Sequence, residues 1–204
     1  MKNAQQEILE NEYCWATSIE FPNAALDVLS AAASAIHIWL LNGDDNRRIP
    51  IEFLNHRIGT IFWKSSNFLW RKAGFHQVEF QTVYIDPRTI SVETAVHEMA
   101  HILDNSLGAH GMASIFGGGP ADELVRYIGG EPDLCLPRFY SRGYEVAMRS
   151  QRLELNPTPY GRTFGPAEDF AESFRLAVLH PEILKTAAPL RYEWFLDWRK
   201  RLAG

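Results

Sequence analysis

The strongest chemical signal in the chain is the run His97-Glu98-Met99-Ala100-His101. A helix turns about 100° per residue, so His97 and His101 stand about 40° apart and one turn from each other. Both imidazoles can therefore reach one ion. Glu98 lies beside them and can hold a water at that ion without being a ligand. The opposite face carries Val92, Ala95, Val96, Met99, Ile102 and Leu103, which predicts a helix buried along one side. The competing reading is a pair of surface histidines. It is weakened by the apolar remainder of the helix, on which polar groups are costly to bury without a partner. Asp104 follows His97 by seven residues and returns to the same face. It can accept the second ring N–H of a ligand histidine and fix its tautomer. The alternative, a solvent-facing carboxylate at the helix C-terminus, is disfavoured by the helix dipole.

A tetrahedral zinc site needs a third protein ligand. One arrangement places a glycine three residues after the second histidine and a further histidine three beyond it. Those positions are Asp104 and Leu107 here, so that arrangement fails, and His110 reads as a loop histidine. The other arrangement takes a carboxylate from a later helix. Glu168 and Glu172 are spaced i, i+4 on a helix beginning at Pro166 that otherwise carries Phe170, Ala171, Phe174, Leu176, Ala177 and Val178. Glu168 is the expected ligand and Glu172 the expected acceptor behind a ligand histidine. The competing reading is a solvated acidic face that includes Asp169.

Several elements must position these groups. A core helix is expected from Asn23, as its cap, to Leu41, with Gly43 as its stop. Asn42–Arg48 reads as a turn. Ile49–Leu54 and Thr60–Trp63 are strand candidates, and Val78–Ile85 alternates as a strand that Asp86-Pro87 ends. Ser91 caps a helix to about Asn105, with Glu93 in its first turn. Residues 106–122 are glycine-rich and read as a loop; Gly117-Gly118-Gly119-Pro120 lacks the following Lys-Ser/Thr of a phosphate cradle. Helices are expected over about 121–128, 140–150, 166–180 and 189–202, with His180 as a stop. Part of the polar stretch 1–22 can be helical. The aromatic residues Phe62, Trp63, Phe68, Trp70 and Phe75 read as core. Strands first and helices after predict an α+β fold.

Two blocks together resemble a known family. His97-Glu98-Met99-Ala100-His101-Ile102-Leu103-Asp104-Asn105-Ser106-Leu107-Gly108 is followed by Tyr160-Gly161-Arg162-Thr163 and then by Glu168-Asp169-Phe170-Ala171-Glu172-Ser173-Phe174-Arg175-Leu176. This combination looks like the catalytic domain of anthrax toxin lethal factor, whose family includes the Pro-Pro endopeptidases. The resemblance covers roughly residues 78–180. It implies a zincin-like fold in which a small N-terminal sheet and the active-site helix precede a mostly helical C-terminal half. It implies Zn2+ held by His97, His101 and Glu168, with Glu98 as general base and Tyr160 as the hydroxyl that stabilises the oxyanion. The stretch between Tyr160 and Glu168 is about one residue longer than in lethal factor, which keeps Tyr140 and Tyr144 as alternatives for the tyrosine.

Composition sets the outer limits. With 204 residues, 46% of them hydrophobic, the chain suits one domain (1–204) and is too apolar for a disordered protein. Its 20 basic and 25 acidic residues give a net charge of −5, against the basic excess of a general nucleic-acid binder. Arg199, Lys200 and Arg201 complement the end of a final helix. Cys14 and Cys135 cannot form a disulfide scaffold and read as free thiols. The most apolar stretch, Ala31–Leu41, is about half of what a bilayer crossing needs, so no membrane is expected. No basic and apolar leader opens the chain, so the expected location is the cytoplasm, with export of an effector lacking such a leader as the alternative. The sequence therefore predicts a zinc metalloendopeptidase acting on a peptide or protein. A zinc-binding regulatory or effector-toxin protein with restricted or no general proteolysis is the alternative. The strand Val78–Ile85 is expected to offer an edge to an extended peptide.

Overall fold

The computed structural model describes residues 2–18, 20–41, 58–65, 74–77, 81–107, 118–131 and 144–203, with backbone alone at 74–77. It is mixed α/β, mostly helical, with one small sheet, as an α+β reading requires. The chain divides into two compact units, Met1–Ile102 and Leu103–Gly204, and the division falls inside one continuous helix.

The first unit opens with α1 (Ala4–Tyr13), where the sequence promised only partial helicity. Asn3 and Gln6 explain its start: Asn3 accepts from the Gln6 N–H, and the Gln6 side chain accepts from the Asn3 N–H, so two otherwise unpaired donors are satisfied. Its end at Cys14 is left-handed (φ 53°) and leads directly into β1 (Trp15–Thr17). Cys14 is a free thiol; Cys135 lies outside the described residues.

Next comes α2 (Asn23–Leu41), with the boundaries expected. The carbonyl of Pro22 accepts the first helical N–H groups, from Ala25 and Leu26, while the Asn23 side chain accepts from Asn3. By length and composition this helix is apolar enough to cross a membrane, with mean hydropathy 1.7 over its most apolar 18 residues. It therefore exceeds the half-length stretch read from sequence. One face is packed away: Leu26, Leu29, Ala32, Ala33, Ile36 and Leu40 are all buried.

The sheet has four strands in the order β1-β2-β4-β3, where β2 is Ile61–Ser65, β3 Gly74–Gln77 and β4 Thr82–Ile85. β2 runs parallel to both β1 and β4; β3 is antiparallel to β4. Alternation along β2 buries Ile61 and Trp63 and exposes Phe62, so the aromatic cluster expected as core is core only in part. Phe68 and Trp70 lie outside the described residues, as does the side chain of Phe75.

The expectation of one strand over Val78–Ile85 is corrected. Gln77 stands opposite Thr82, so the chain reverses between them, and Gln81 takes a left-handed φ of 46°. Alternation of residue types cannot reveal that reversal. It has a consequence for function: β4 is paired on both sides, and among the described strands the edge beyond it is β3, not the 78–85 segment. The candidate strand Ile49–Leu54, the turn Asn42–Arg48 and His110 fall outside the described residues.

After β4 the chain enters α3 (Val92–Leu107), which carries His97 and His101. It runs two residues past the expected end and takes the start of the supposed glycine-rich loop. The second unit continues with α4 (Pro120–Tyr127), α5 (Tyr144–Ser150), α6 (Pro159–Thr163), α7 (Pro166–Leu179), α8 (Pro181–Ala187) and α9 (Pro189–Ala203). The short helices α6 and α8 add to the helices expected from the sequence. His180 ends α7 and also precedes α8, and Pro120, Pro159, Pro166, Pro181 and Pro189 each open a helix of this array. The core of the unit is aromatic: Phe170 of α7 meets Trp194, Phe195 and Trp198 of α9, and Phe174 meets Phe195 and Trp198, with ring centroids 5.5–6.1 Å apart. Burying each such side chain stabilises the fold by roughly 1.5–3 kcal/mol.

Candidate metal centre

The turn before α3 sets where the histidines begin. The Asp86 carbonyl accepts from the N–H groups of Thr89 and Ile90, and its carboxylate accepts from the Arg88 N–H and from the Arg88 guanidinium at 2.8 and 2.9 Å. Those bonds hold the Asp86 carboxyl down at about 2, well below the usual range near 3.9. Ser91 then caps α3 as expected: its hydroxyl oxygen accepts from the Thr94 N–H at 3.1 Å. Ala95, Val96, Met99, Ala100, Ile102 and Leu103 are buried, which fixes the rotation of the helix about its axis. Met99 shares an apolar cavity with Trp15, Ile36 and Ile61.

With that face buried, His97 and His101 stand together. Their Nε2 atoms are 3.2 Å apart and their rings meet edge to face at 79°. Two ligands about 2.05 Å from a tetrahedral centre are separated by about 3.3 Å, so the pair already has the spacing of one edge of such a site. Glu168 completes a set of three: one ligand atom from each of His97, His101 and Glu168 lies within 4.8 Å of the others. Two imidazole nitrogens and one carboxylate oxygen fit a borderline-soft dication. Glu98 is buried beside the pair, and Glu168 and His101 are half-buried.

The remaining candidates fall out differently. Asp104 is 1% exposed, so the solvent-facing reading fails. Its Oδ1 accepts from the Ala121 N–H at 2.8 Å and thereby anchors the first turn of α4, which has no side-chain cap of its own at Gly119. Glu172 is buried and both its oxygens receive the guanidinium of Arg175, at 3.2 and 2.9 Å. The acid expected to serve a ligand histidine thus has a cation three residues along its own helix. Tyr160, on α6, is half exposed and its ring lies against Phe164 at 4.7 Å. Tyr144 is buried and donates to Asp169 at 2.5 Å, which removes it as a free oxyanion donor. Tyr140 lies outside the described residues.

The reading of Asp169 as part of a solvated acidic face is overturned. Asp169 is fully buried and accepts from Arg191 at 2.7 Å, Asn156 at 2.8 Å and Tyr144. Arg191 is fully buried as well. Sequence reading missed Asn156, Asp169 and Arg191 as a group because their partners are 13 and 22 residues apart, beyond any local period. The one local trace was Ser173, one turn after Asp169.

No protein-family model matches the sequence, and no curated protein matches it at a significant level.

Proposed function

We propose that this protein is a zinc-dependent metalloendopeptidase with a zincin-like fold. The observation that carries the reading is that one ligand atom from each of His97, His101 and Glu168 lies within 4.8 Å of the others. Support also comes from Glu98, buried next to the first histidine, and from the two-block resemblance to the lethal factor family.

Zinc, when bound by these three residues, supplies a Lewis acid that lowers the pKa of water towards about 7 and polarises a carbonyl. The protein's own groups do the rest. Glu98 takes the proton of the attacking water and returns it to the leaving amine. Tyr160, half exposed on its short helix, is the hydroxyl that donates to the developing oxyanion in this reading. An extended peptide pairs through its main chain with the outer strand β3.

The direct test is metal analysis of the purified protein. About one zinc per chain is expected, and His97→Ala or His101→Ala should remove it, since each loses one of three protein ligands. Full zinc occupancy in both variants would end the proposal.

A further inference from the structure

The apolar contacts between α7 and α9 are already extensive, yet two charges are buried among them. Replacing a buried ion pair by apolar side chains is often neutral or stabilising, so such a pair is weak evidence for stability as such. Apolar packing fixes a helix in register and rotation less sharply than directional hydrogen bonds do. The Asp169 cluster supplies such bonds, at the residue next to Glu168.

We propose that Asn156, Asp169 and Arg191 are positioning residues that lock the Glu168 turn of α7 and the Tyr160 turn of α6 into one rigid piece. This rests on the zinc-peptidase reading above. The first turn of α7 has no side-chain cap, because Gly165 precedes it in a conformation (φ 106°) that only glycine adopts easily. Its hold comes from the cluster instead. Arg191 Nη1 donates to Asp169 Oδ1, and Nη2 donates to the Glu154 carbonyl at 2.8 Å. The Glu154 carboxylate in turn accepts from the N–H groups of Leu190 and Arg191, both at 3.0 Å. The segment 154–156 is therefore clamped to α7 on one side and to α9 on the other.

Asn156 carries the hold on to Tyr160. Its Nδ2 donates to the Asp169 carbonyl, the Asp169 carboxylate and the Ser173 hydroxyl, at 2.8–2.9 Å. Its Oδ1 accepts from the Thr158 N–H at 2.8 Å and hydroxyl at 3.0 Å, and the Thr158 hydroxyl oxygen accepts from the Gly161 N–H. The fit is close: a Cβ on Gly161 would lie 2.5 Å from the Asn156 side chain. An unbroken chain of hydrogen bonds thus joins the residue after Glu168 to the residue after Tyr160. Partners of this kind, one step behind a metal ligand, typically change metal affinity or activity by about 10–100-fold when removed.

The test is zinc titration against a competing chelator, with peptide turnover, on wild type, Glu168→Ala, Asn156→Ala, Asp169→Asn and Leu184→Ala. Leu184 is fully buried in α8 and stands outside the cluster, so its variant controls for lost stability alone. Asn156→Ala and Asp169→Asn should keep native circular dichroism, bind zinc about 10–100-fold more weakly, and lose kcat with KM little changed. Leu184→Ala should melt earlier and bind zinc as wild type does. Should Asn156→Ala not fold, Tyr144→Phe, which removes a single donor to Asp169, should show the same pattern at smaller size. Wild-type zinc affinity and kcat in both cluster variants would overturn the proposal, as would an equal zinc loss in Leu184→Ala. Failure of the underlying reading looks different: wild type would bind no zinc, or Glu168→Ala would bind as tightly as wild type.

Discussion

Helices α3 and α7 each carry two candidate-site side chains one turn apart, and the contacts that hold them differ in their balance. On α3 the apolar residues Ala95, Val96, Met99, Ile102 and Leu103 around His97 and His101 are all at most 4% exposed, and Glu98, Asp104 and Asn105 are buried with them. The buried side of α7 joins Phe170 and Phe174 to Asp169, Glu172 and Ser173. An apolar face sets how deep a helix sits and tolerates small rotations, because dispersion contacts are many and individually weak. A hydrogen-bonded ion pair is directional and tolerates few. On α3 the two histidines carry their own geometry, since i, i+4 spacing alone brings their nitrogens together. On α7 a single carboxylate must be aimed, and directional contacts accompany it.

The largest effect expected on the α3 side is chemical and leaves the fold alone. Glu98→Gln keeps the size of the side chain and one acceptor oxygen and removes the proposed base. Turnover should fall by about 10²–10⁴-fold with zinc content and thermal midpoint close to wild type. Peptide hydrolysis measured beside metal analysis checks it. Equal turnover would move the base to another residue and leave α3 as a scaffold only.

On the α7 side the corresponding change is structural. Arg191→Met removes the cation and leaves Asp169 buried without its partner, which typically costs about 3–5 kcal/mol. Urea denaturation should show an unfolding free energy lower by that amount. The double variant Arg191→Met/Asp169→Asn, in which both charges are gone, should recover part of the loss. A single variant as stable as wild type would mean that α7 is held by its aromatic face, as α3 is by its aliphatic one, and the contrast between the helices would disappear.

The same contrast explains what could be read from the sequence. The position of α3, its Ser91 cap, its Glu93 and the pairing of its two histidines all follow from local spacing, because each depends on residues within one or two turns. The i, i+4 placement of Glu168 and Glu172 was legible for the same reason. The partners were not. Arg175, three residues on, is assignable to Glu172 by helical spacing, beside the histidine expected for that acid. Arg191 could not have been assigned to Asp169, since nothing local distinguishes a buried arginine from a surface one. In the sheet, the alternation over 78–85 gave a period but not a direction, so the reversal before Thr82 and the resulting outer strand β3 appear only in three dimensions.

The smallest effect concerns the turn that delivers α3, and it sharpens the comparison from the other end. Asp86 and Arg88 form a directional ion pair, as Asp169 and Arg191 do, but Arg88 is 71% exposed at its side chain. Solvent screens such pairs, so little stability is expected from this one at neutral pH. Its signature lies in acid. The Asp86 carboxyl is held down at about 2 in the folded protein, by its bonds to Arg88, against about 3.9 in an unfolded chain. A depressed carboxyl stabilises the fold fully above the unfolded value, and that stability is lost as pH falls towards the folded one. Asp86→Asn cannot titrate. Its urea midpoint should therefore decline less steeply than that of wild type between about pH 4 and 2. Above pH 5 its zinc content should match wild type, because α3 is oriented by its apolar face and not by this turn. Parallel acid limbs for the two proteins would remove the pair from the account. Weaker zinc binding at neutral pH in Asp86→Asn would show that α3, like α7, depends on a directional contact for its aim.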